Sequence, residues 1–462
     1  MASSSSEKIE QDLDTCPLLE DDVVLGAIDA TIESKRQHLR RYLHTSYNIL
    51  KAIAYGLLPS FLLKSSLRKP AVTTNQNVAS LDGLRGIACL IVVNQHFTYN
   101  FTEQIFQGWG MTPTAYYIPQ LPFVCLLWSG QAMVSVFFVI SGYVLSHKPL
   151  RLVRAKAWDK LHENMSSAAF RRLIRLYLPM TGSLLLITVM TSIGVFEPAR
   201  AVKASGILTG NEEVPFRYET FGRQLWECWL NVWLQIHPAM ASSTLDFHLW
   251  TLPVELRTSF TLFLTLIALS RLTYFWRTTV TLVLVVFCVW LRRDAQIMFY
   301  SGMMLADLDQ CLAGVTARQS ASETCVASTK PRKWLTAGYT AIFVAGLYFA
   351  STPYWGLSGP FYERLRFLNP PSFGTEGTWL KIVGATLLTL SINQCSFLQT
   401  LCTNAFAQYL GKVRCATCTR ALRLNIDADH EVDLIRPLPL PWLGHPFVGL
   451  YSQSVRVQTV RW

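Results

Sequence analysis

Residues Leu121–Ser146 read LPFVCLLWSGQAMVSVFFVISGYVLS, a run without one Asp, Glu, Lys or Arg. A bilayer core about 30 Å thick is crossed by roughly 20 apolar residues in a helix, so this run is long enough to span. Seven further runs of the same kind follow at 81–102, 177–196, 249–270, 278–292, 295–312, 334–350 and 380–398. The run 278–292 is short and stops at Arg292-Arg293-Asp294, as the turn of a tight hairpin with its successor would. The stretch 46–63 is apolar but contains Lys51 and Pro59, with Lys64 behind it, and is read as interfacial. These readings predict an all-α polytopic transmembrane helix bundle of about eight spans. Around it, 1–45 is a polar, disordered tail, 46–80 an amphipathic lead-in, 81–411 the membrane domain and 412–462 a polar C-terminal tail.

The composition agrees. Of 462 residues, 51 % are hydrophobic and only 15 % charged, against about 25 % charged in soluble domains. Too little polar surface remains to keep a globule in water, and the same deficit excludes a disordered chain. Forty-one Lys and Arg against thirty Asp and Glu leave a net charge of +11. No nucleic-acid partner is expected, because in a membrane protein such a surplus records cytoplasmic loops. The stretch 147–176 holds Lys148, Arg151, Arg154, Lys156, Lys160, Arg171, Arg172 and Arg175 against Asp159 and Glu163. The segment 313–333 is again basic, 103–120 has no Lys or Arg, and 197–248 is net acidic. The alternation predicts a cytoplasmic N-terminus and tail, with 197–248 on the far side. The polar start lacks a basic-then-apolar pattern, so a first span rather than a cleaved signal is expected to target the chain. The eleven cysteines are scattered and form no disulfide framework. Cys415-Ala416-Thr417-Cys418 is half a zinc pattern without a second pair, so no metal site is expected.

Ionisable groups inside spans cost about 3 kcal/mol or more and are functional candidates by default. The first span opens Leu81-Asp82-Gly83-Leu84-Arg85-Gly86 and later carries His96. Arg85 and His96 are eleven residues apart, a net rotation of about 20°, so they share one face about 16 Å apart. Asp82 lies one turn before Arg85 and is placed to pair with it. An Arg at the interface and a His hydrogen-bonded within the bundle would satisfy the same pattern. The fourth span begins His248-Leu249-Trp250-Thr251-Leu252-Pro253-Val254-Glu255, with Trp250 suited to anchor an interface and Glu255 about 8 Å further in. By depth, Glu255 and His96 can meet near the midplane, a carboxylate orienting a base, although Glu255 could instead pair with Arg257 or His248. Ser141 and Gly142 are small residues that serve helix packing or chemistry. Arg171, Arg172 and Arg175 before the third span are either positive-inside anchors or a phosphate clamp.

Leu81–Ala88 with His96 closing an R-x10-H spacing resembles the opening of the acyltransferase-3 family of integral membrane O-acyltransferases, in its fungal form. Phe137–Tyr143 is similar to that family's second-helix motif, Arg171–Pro179 to its basic motif, and His248–Glu255 to its His/Trp/Glu motif. Gly302-Met303-Met304-Leu305-Ala306-Asp307 is a weaker match. The resemblance implies transfer of an acyl group, most often acetyl, from acetyl-CoA or another acyl-CoA to a hydroxyl of a small metabolite, with no bound cofactor. Secondary-metabolite biosynthesis and an endomembrane such as the endoplasmic reticulum fit that reading. It implies His96 as catalytic base, Arg85 as its motif partner and Glu255 as the orienting carboxylate. Asp82, Ser141, Arg171, Arg172, Arg175, His248 and Trp250 are then the expected substrate-binding residues. Partners are the lipid bilayer, acyl-CoA and the hydroxyl acceptor; oligomeric state is left open. A proton-coupled transporter using Arg85, His96 and Glu255, or a non-catalytic membrane scaffold, are the rival classes. After Lys412 the chain leaves the family pattern: Val413–Arg420 and the Pro-rich remainder contain no spanning run, so a truncated or intron-derived end is expected.

Overall fold

The structure, a computed structural model, describes residues 76–206, 214–236, 245–322 and 333–411. The expectations for the N-terminal tail, for most of the lead-in and for 412–462 lie outside these residues. Every described regular element is helical. The longer helices are α1 (Gln76–Tyr99), α2 (Gly130–Arg154), α3 (Trp158–Ser192), α4 (Glu197–Ala204), α5 (Phe221–Ile236) and α6 (Thr251–Ala268). They are followed by α7 (Tyr274–Trp290), α8 (Asp294–Ser322), α9 (Lys333–Ala350), α10 (Thr378–Gln394) and α11 (Ser396–Thr403).

Each of the eight apolar runs meets a helix, although 121–146 enters its helix only at Gly130, after a turn and a short 3-10 helix, Cys125–Trp128, and the count of eight spans is not reached. Among the described residues three stretches are long and apolar enough to cross a membrane: Gly130–Arg154, Trp158–Ser192 and His248–Ala268. They become four if α10 and α11 are counted as one broken span. α7 is apolar but has only 17 residues, while Asp82, Arg85, Asp294, Asp307 and Asp309 dilute the apolarity of α1 and α8. The basic stretch 147–176 is also corrected. It is not a loop: α2 runs on to Arg154 and α3 starts at Trp158. Lys and Arg are good helix formers, so a charge run ends the apolar pattern without ending the helix.

The described chain divides into two compact units, residues 76–87 with 396–411, and residues 88–395. In the first, the opening of α1 is crossed by the end of the described chain. A Cβ on Gly83 would lie 1.8 Å from the Cys402 carbonyl oxygen, and one on Gly86 2.3 Å from the Gly411 nitrogen. Gln408 ties this crossing by donating to the Ala79 and Cys402 carbonyls at 2.6 and 3.0 Å.

In the second unit α2 is the hub, packed against α3, α6, α8 and α10. It meets α8 backbone to backbone. A Cβ on Gly142 would sit 2.3 Å from the Phe299 oxygen, and one on Gly302 2.1 Å from the Val139 oxygen. Further along the same two helices, Arg277 from α7 holds both oxygens of Asp307 at 2.7 Å, and Arg154 adds a third bond at 2.9 Å. Since 142 faces 299 and 154 reaches 307, α2 and α8 run in the same direction. At the end where α2 begins, the segments 103–129 and 351–377 lock together. Tyr354 N donates to the Phe106 carbonyl at 3.2 Å, and Ser129 Oγ to the Ala350 carbonyl at 3.2 Å.

The acidic segment 197–248 is not a plain loop either, since it contains α4 and α5. α5 is built inside out. Gln224, Asn231 and Gln235 are buried, whereas Trp226, Trp229 and Trp233 are each more than half exposed. Helix faces in water have the opposite arrangement. A tryptophan stripe on a helix packed against α3, which itself turns Leu185, Leu186 and Val189 outward, suits a membrane interface.

Two outcomes follow from these contacts. Gly142→Ala places a methyl group into backbone that cannot swing aside. It is expected to lower stability by about 3 kcal/mol, at the upper end of overpacking costs, or to abolish folded protein; an unchanged melting midpoint in detergent would contradict the crossing. Asp294, the first residue of α8, has its carboxyl pushed up to about 6 by burial, with Arg292 opposing and Glu376 adding to the rise. A carboxyl raised above its unfolded value is penalised when ionised, so its cost is present above pH 6 and is relieved as pH falls towards 4. Asp294→Asn should therefore stabilise the protein at pH 7.5 by about 2 kcal/mol, and melting curves across pH should show the gain shrinking below pH 6 and vanishing towards pH 4.

Candidate active site

His96 lies in the last turn of α1, and its ring meets that of His248 from the short 3-10 helix Phe247–Trp250 that leads into α6. His96 Nδ1 and His248 Nε2 are 3.1 Å apart. The ring centroids are 4.1 Å apart and the planes 84° from parallel. The centroids are closer than a straight bond between in-plane nitrogens would hold them. The contact is therefore a bent hydrogen bond combined with edge-to-face packing, which fixes both rings.

Behind His248 stands Asp246, only 9 % exposed. Its Oδ1 accepts from the His248 backbone N–H and faces His248 Nδ1, both at 3.0 Å. An Asp two residues before the group it caps forms a local turn from sequence alone, so the carboxylate is placed before any tertiary contact is made. The network assigns the protons. A carboxylate only accepts, so His248 Nδ1 carries a hydrogen, and with the ring neutral its Nε2 holds the lone pair. That lone pair faces His96 Nδ1–H, which leaves the lone pair of the neutral His96 ring on Nε2. Asp246, His248 and His96 thus form a carboxylate–imidazole–imidazole chain.

Glu255 does not orient His96. Its Oε1 accepts from Arg172 Nη2 of α3 at 2.7 Å and from Ser141 Oγ of α2 at 3.3 Å. The pair is mostly shielded, with side chains 15 % and 22 % exposed. Glu255 lies seven residues, about 10 Å of helix, beyond His248. Depth alone could not show that an arginine from α3 reaches this level first. Neither alternative partner expected for Glu255 is used: Arg257 Nε turns back to the Pro253 carbonyl at 3.3 Å.

The three arginines of α3 also part company. Arg172 points to Glu255, while Arg171 and Arg175 are exposed and Arg171 bonds Ser167. They do not form one clamp. Trp250 is 44 % exposed, as an anchoring ring would be, and Ser141 is buried. Asp82 and Arg85 belong to the first unit, both half-buried on α1. The sequence reading named His248 but missed Asp246; the signal available was the Asp-x-His spacing at a helix start.

The chemistry open to this chain is that of a half-buried base whose second nitrogen is held by another histidine. Asp246→Asn would keep the shape but let the amide donate towards His248 Nδ1, reversing the tautomers along the chain. If His96 works as a base, activity in this variant should fall about 10²–10⁴-fold with the melting midpoint nearly unchanged. Wild-type turnover would remove Asp246 from any role.

Comparison with known proteins bears on which reaction such a base serves. Residues 78–410 match the family described as Acyltransferase domain. The chain is 32 % identical over 380 residues to the O-acetyltransferase PaAT-1 of Phomopsis amygdali, covering 77 % of this chain and 73 % of that protein. It is 25 % identical over 389 residues to acyltransferase R4 of a Phoma species, covering 75 % and 82 % of the two chains. Acyltransferase clz18 of Cochliobolus lunatus is 24 % identical over 395 residues, covering 75 % and 82 %. No solved structure matches.

Proposed function

The chain belongs to the acyltransferase-3 family and is an acyltransferase, and from that premise we propose that it is a membrane-embedded O-acyltransferase moving an acyl group from acyl-CoA to a hydroxyl of a small secondary metabolite. The Asp246–His248–His96 chain is the observation that carries the mechanism. Acetyl is the favoured acyl group because a relative bears the name O-acetyltransferase. An eight-span bundle in an endomembrane, with its N-terminus in the cytosol, is part of the same proposal and rests on the apolar runs and the loop charges.

His96 Nε2 takes the acceptor's hydroxyl proton as the oxygen attacks the thioester carbonyl. The C–S bond then breaks, the acyl group stays on the oxygen, and the CoA thiolate takes up the proton. When His96 gains that proton, its Nδ1–H can move to His248 Nε2. The positive charge then rests beside Asp246, which lowers the cost of forming it inside the bundle. Glu255 neutralises Arg172 and fastens α6 to α2 and α3, which makes it a positioning residue. Exposed Arg171 and Arg175 are the phosphate-binding candidates. The proposed parts of Arg85 as stabiliser of negative charge on the donor, and of Asp82 as its partner, rest on the R-x10-H motif alone.

His96→Ala in membranes carrying the full chain is the test. Acyl transfer, read as free CoA thiol and as acylated product by mass spectrometry, should fall at least about 10³-fold, with expression and melting midpoint preserved. Undiminished transfer would overturn the role of His96. Profiling a deletion strain for a lost acetyl-sized mass would identify the acceptor.

A further inference from the structure

Lys381 stands in the first turns of α10 and is only 2 % exposed. Its Nζ donates to Gln131 Oε1 at 2.7 Å and to the Pro353 carbonyl at 3.2 Å, and lies 5.7 Å from the centre of the Tyr354 ring. All three partners are neutral. The nearby carboxylate of Glu376 is engaged by Arg292. A buried ammonium without a counter-charge is costly, and proteins ordinarily pair it or give it a ligand.

Lys381 lines a cleft at the end of the second unit where α2 begins, together with Gln95, Gln107, Gln131, Ser129 and Tyr354. No Asp or Glu lines that cleft. Gln107 uses its oxygen to accept from Thr112, and Gln131 uses its oxygen to accept from Lys381, so in both residues the amide NH2 is the end left to donate. Gln131 is also exposed, which gives the cleft a mouth. One cation, amide donors and no acid make a lining that suits an anion and disfavours a cation.

We propose that the Lys381 cleft is a binding site for a small monovalent anion, either the carboxylate of an organic acid or a halide. The inference goes beyond the acyl-transfer reading and does not depend on it. The ammonium and the amide hydrogens would share the anion's charge, and Gln131 would hold Lys381 in place while the site is filled. A structural peg between α10, α2 and the 351–354 turn would need only the neutral contacts already made, and would respond to no anion.

The test is thermal unfolding of the detergent-solubilised full chain, followed by tryptophan fluorescence, with ionic strength held constant by sulfate. Acetate, chloride and neutral acetamide are the probes. A ligand bound only by the native state raises the midpoint in a saturable way. Acetate or chloride should raise it by a few degrees with saturation, acetamide should not, and Lys381→Met should abolish the anion response. A response to acetate alone identifies an organic acid as the occupant; a matching response to chloride identifies an inorganic anion. The proposal is overturned if neither anion gives a saturable shift in the wild type, or if acetamide matches acetate. It is equally overturned if folded Lys381→Met responds as the wild type does. Should Lys381→Met fail to fold, the wild-type contrast between acetate and acetamide decides. Acyl transfer is not part of the readout, so failure here leaves the acyltransferase reading untouched.

Discussion

The contact at Gly142 and Gly302 is the constraint on which the second unit depends. Without side chains at these two positions, α2 and α8 approach until each backbone touches the other. That approach sets the rotation of α2. Ser141, one residue before Gly142, is thereby turned to Glu255, while Tyr143, one residue after, reaches Asp309 at 2.5 Å. Asp309 also receives Asn393 and Gln394 from the end of α10. A single close crossing therefore orients polar groups towards α6 on one side and α10 on the other. In a membrane this has particular weight, because packing rather than water exclusion holds helices together there.

Most charges inside the bundle are neutralised locally, Asp309 being held by neutral donors instead. Asp307 takes two arginines, Glu255 takes Arg172 and a serine, and Asp246 takes a histidine and a backbone N–H. Each carboxylate has at least two donors, the condition under which a buried ion is tolerated. Lys381 is the contrast: it is as deeply buried as Arg277, yet its partners are a side-chain amide, a carbonyl and an aromatic ring.

The sequence made the helices legible because apolarity is a local property: all eight runs were visible and each meets a helix. Their ends were less legible. A run of Lys and Arg breaks the hydropathy signal but not the helix, so the joint at 155–157 was hidden inside what read as a thirty-residue loop. α5 was hidden for the opposite reason, its buried face being polar. Within the candidate site, His96 and Glu255 stood out by type and spacing and His248 by its motif, yet the expected pairing of Glu255 with His96 is not the one made. Depth along a span follows from counting residues, whereas partners depend on helix rotation, and rotation is fixed by contacts such as Gly142 against Phe299 that no single segment contains. Gly302–Asp307, the weakest motif match, proved to hold both the crossing glycine and the aspartate that ties α7 to α8.

The polar groups fall into layers along α2. The Asp246–His248–His96 chain and the Lys381 cleft belong to the end where α2 begins, since Gln95 packs on Gly130 and Lys381 bonds Gln131. Ser141, Glu255 and Arg172 form the next layer, and Asp307 with its two arginines lies thirteen residues, about 20 Å, beyond Ser141 at Arg154. If the basic end faces the cytosol and the donor is the acyl-CoA proposed above, the donor enters from the Arg154 side while the proposed base waits near the opposite end. The donor would then have to extend its thioester along the bundle past the Glu255–Arg172 pair. That pair would then border the path of the donor's uncharged arm, and its mutual neutralisation leaves no bare guanidinium there to draw the donor's phosphates in beyond their own binding residues.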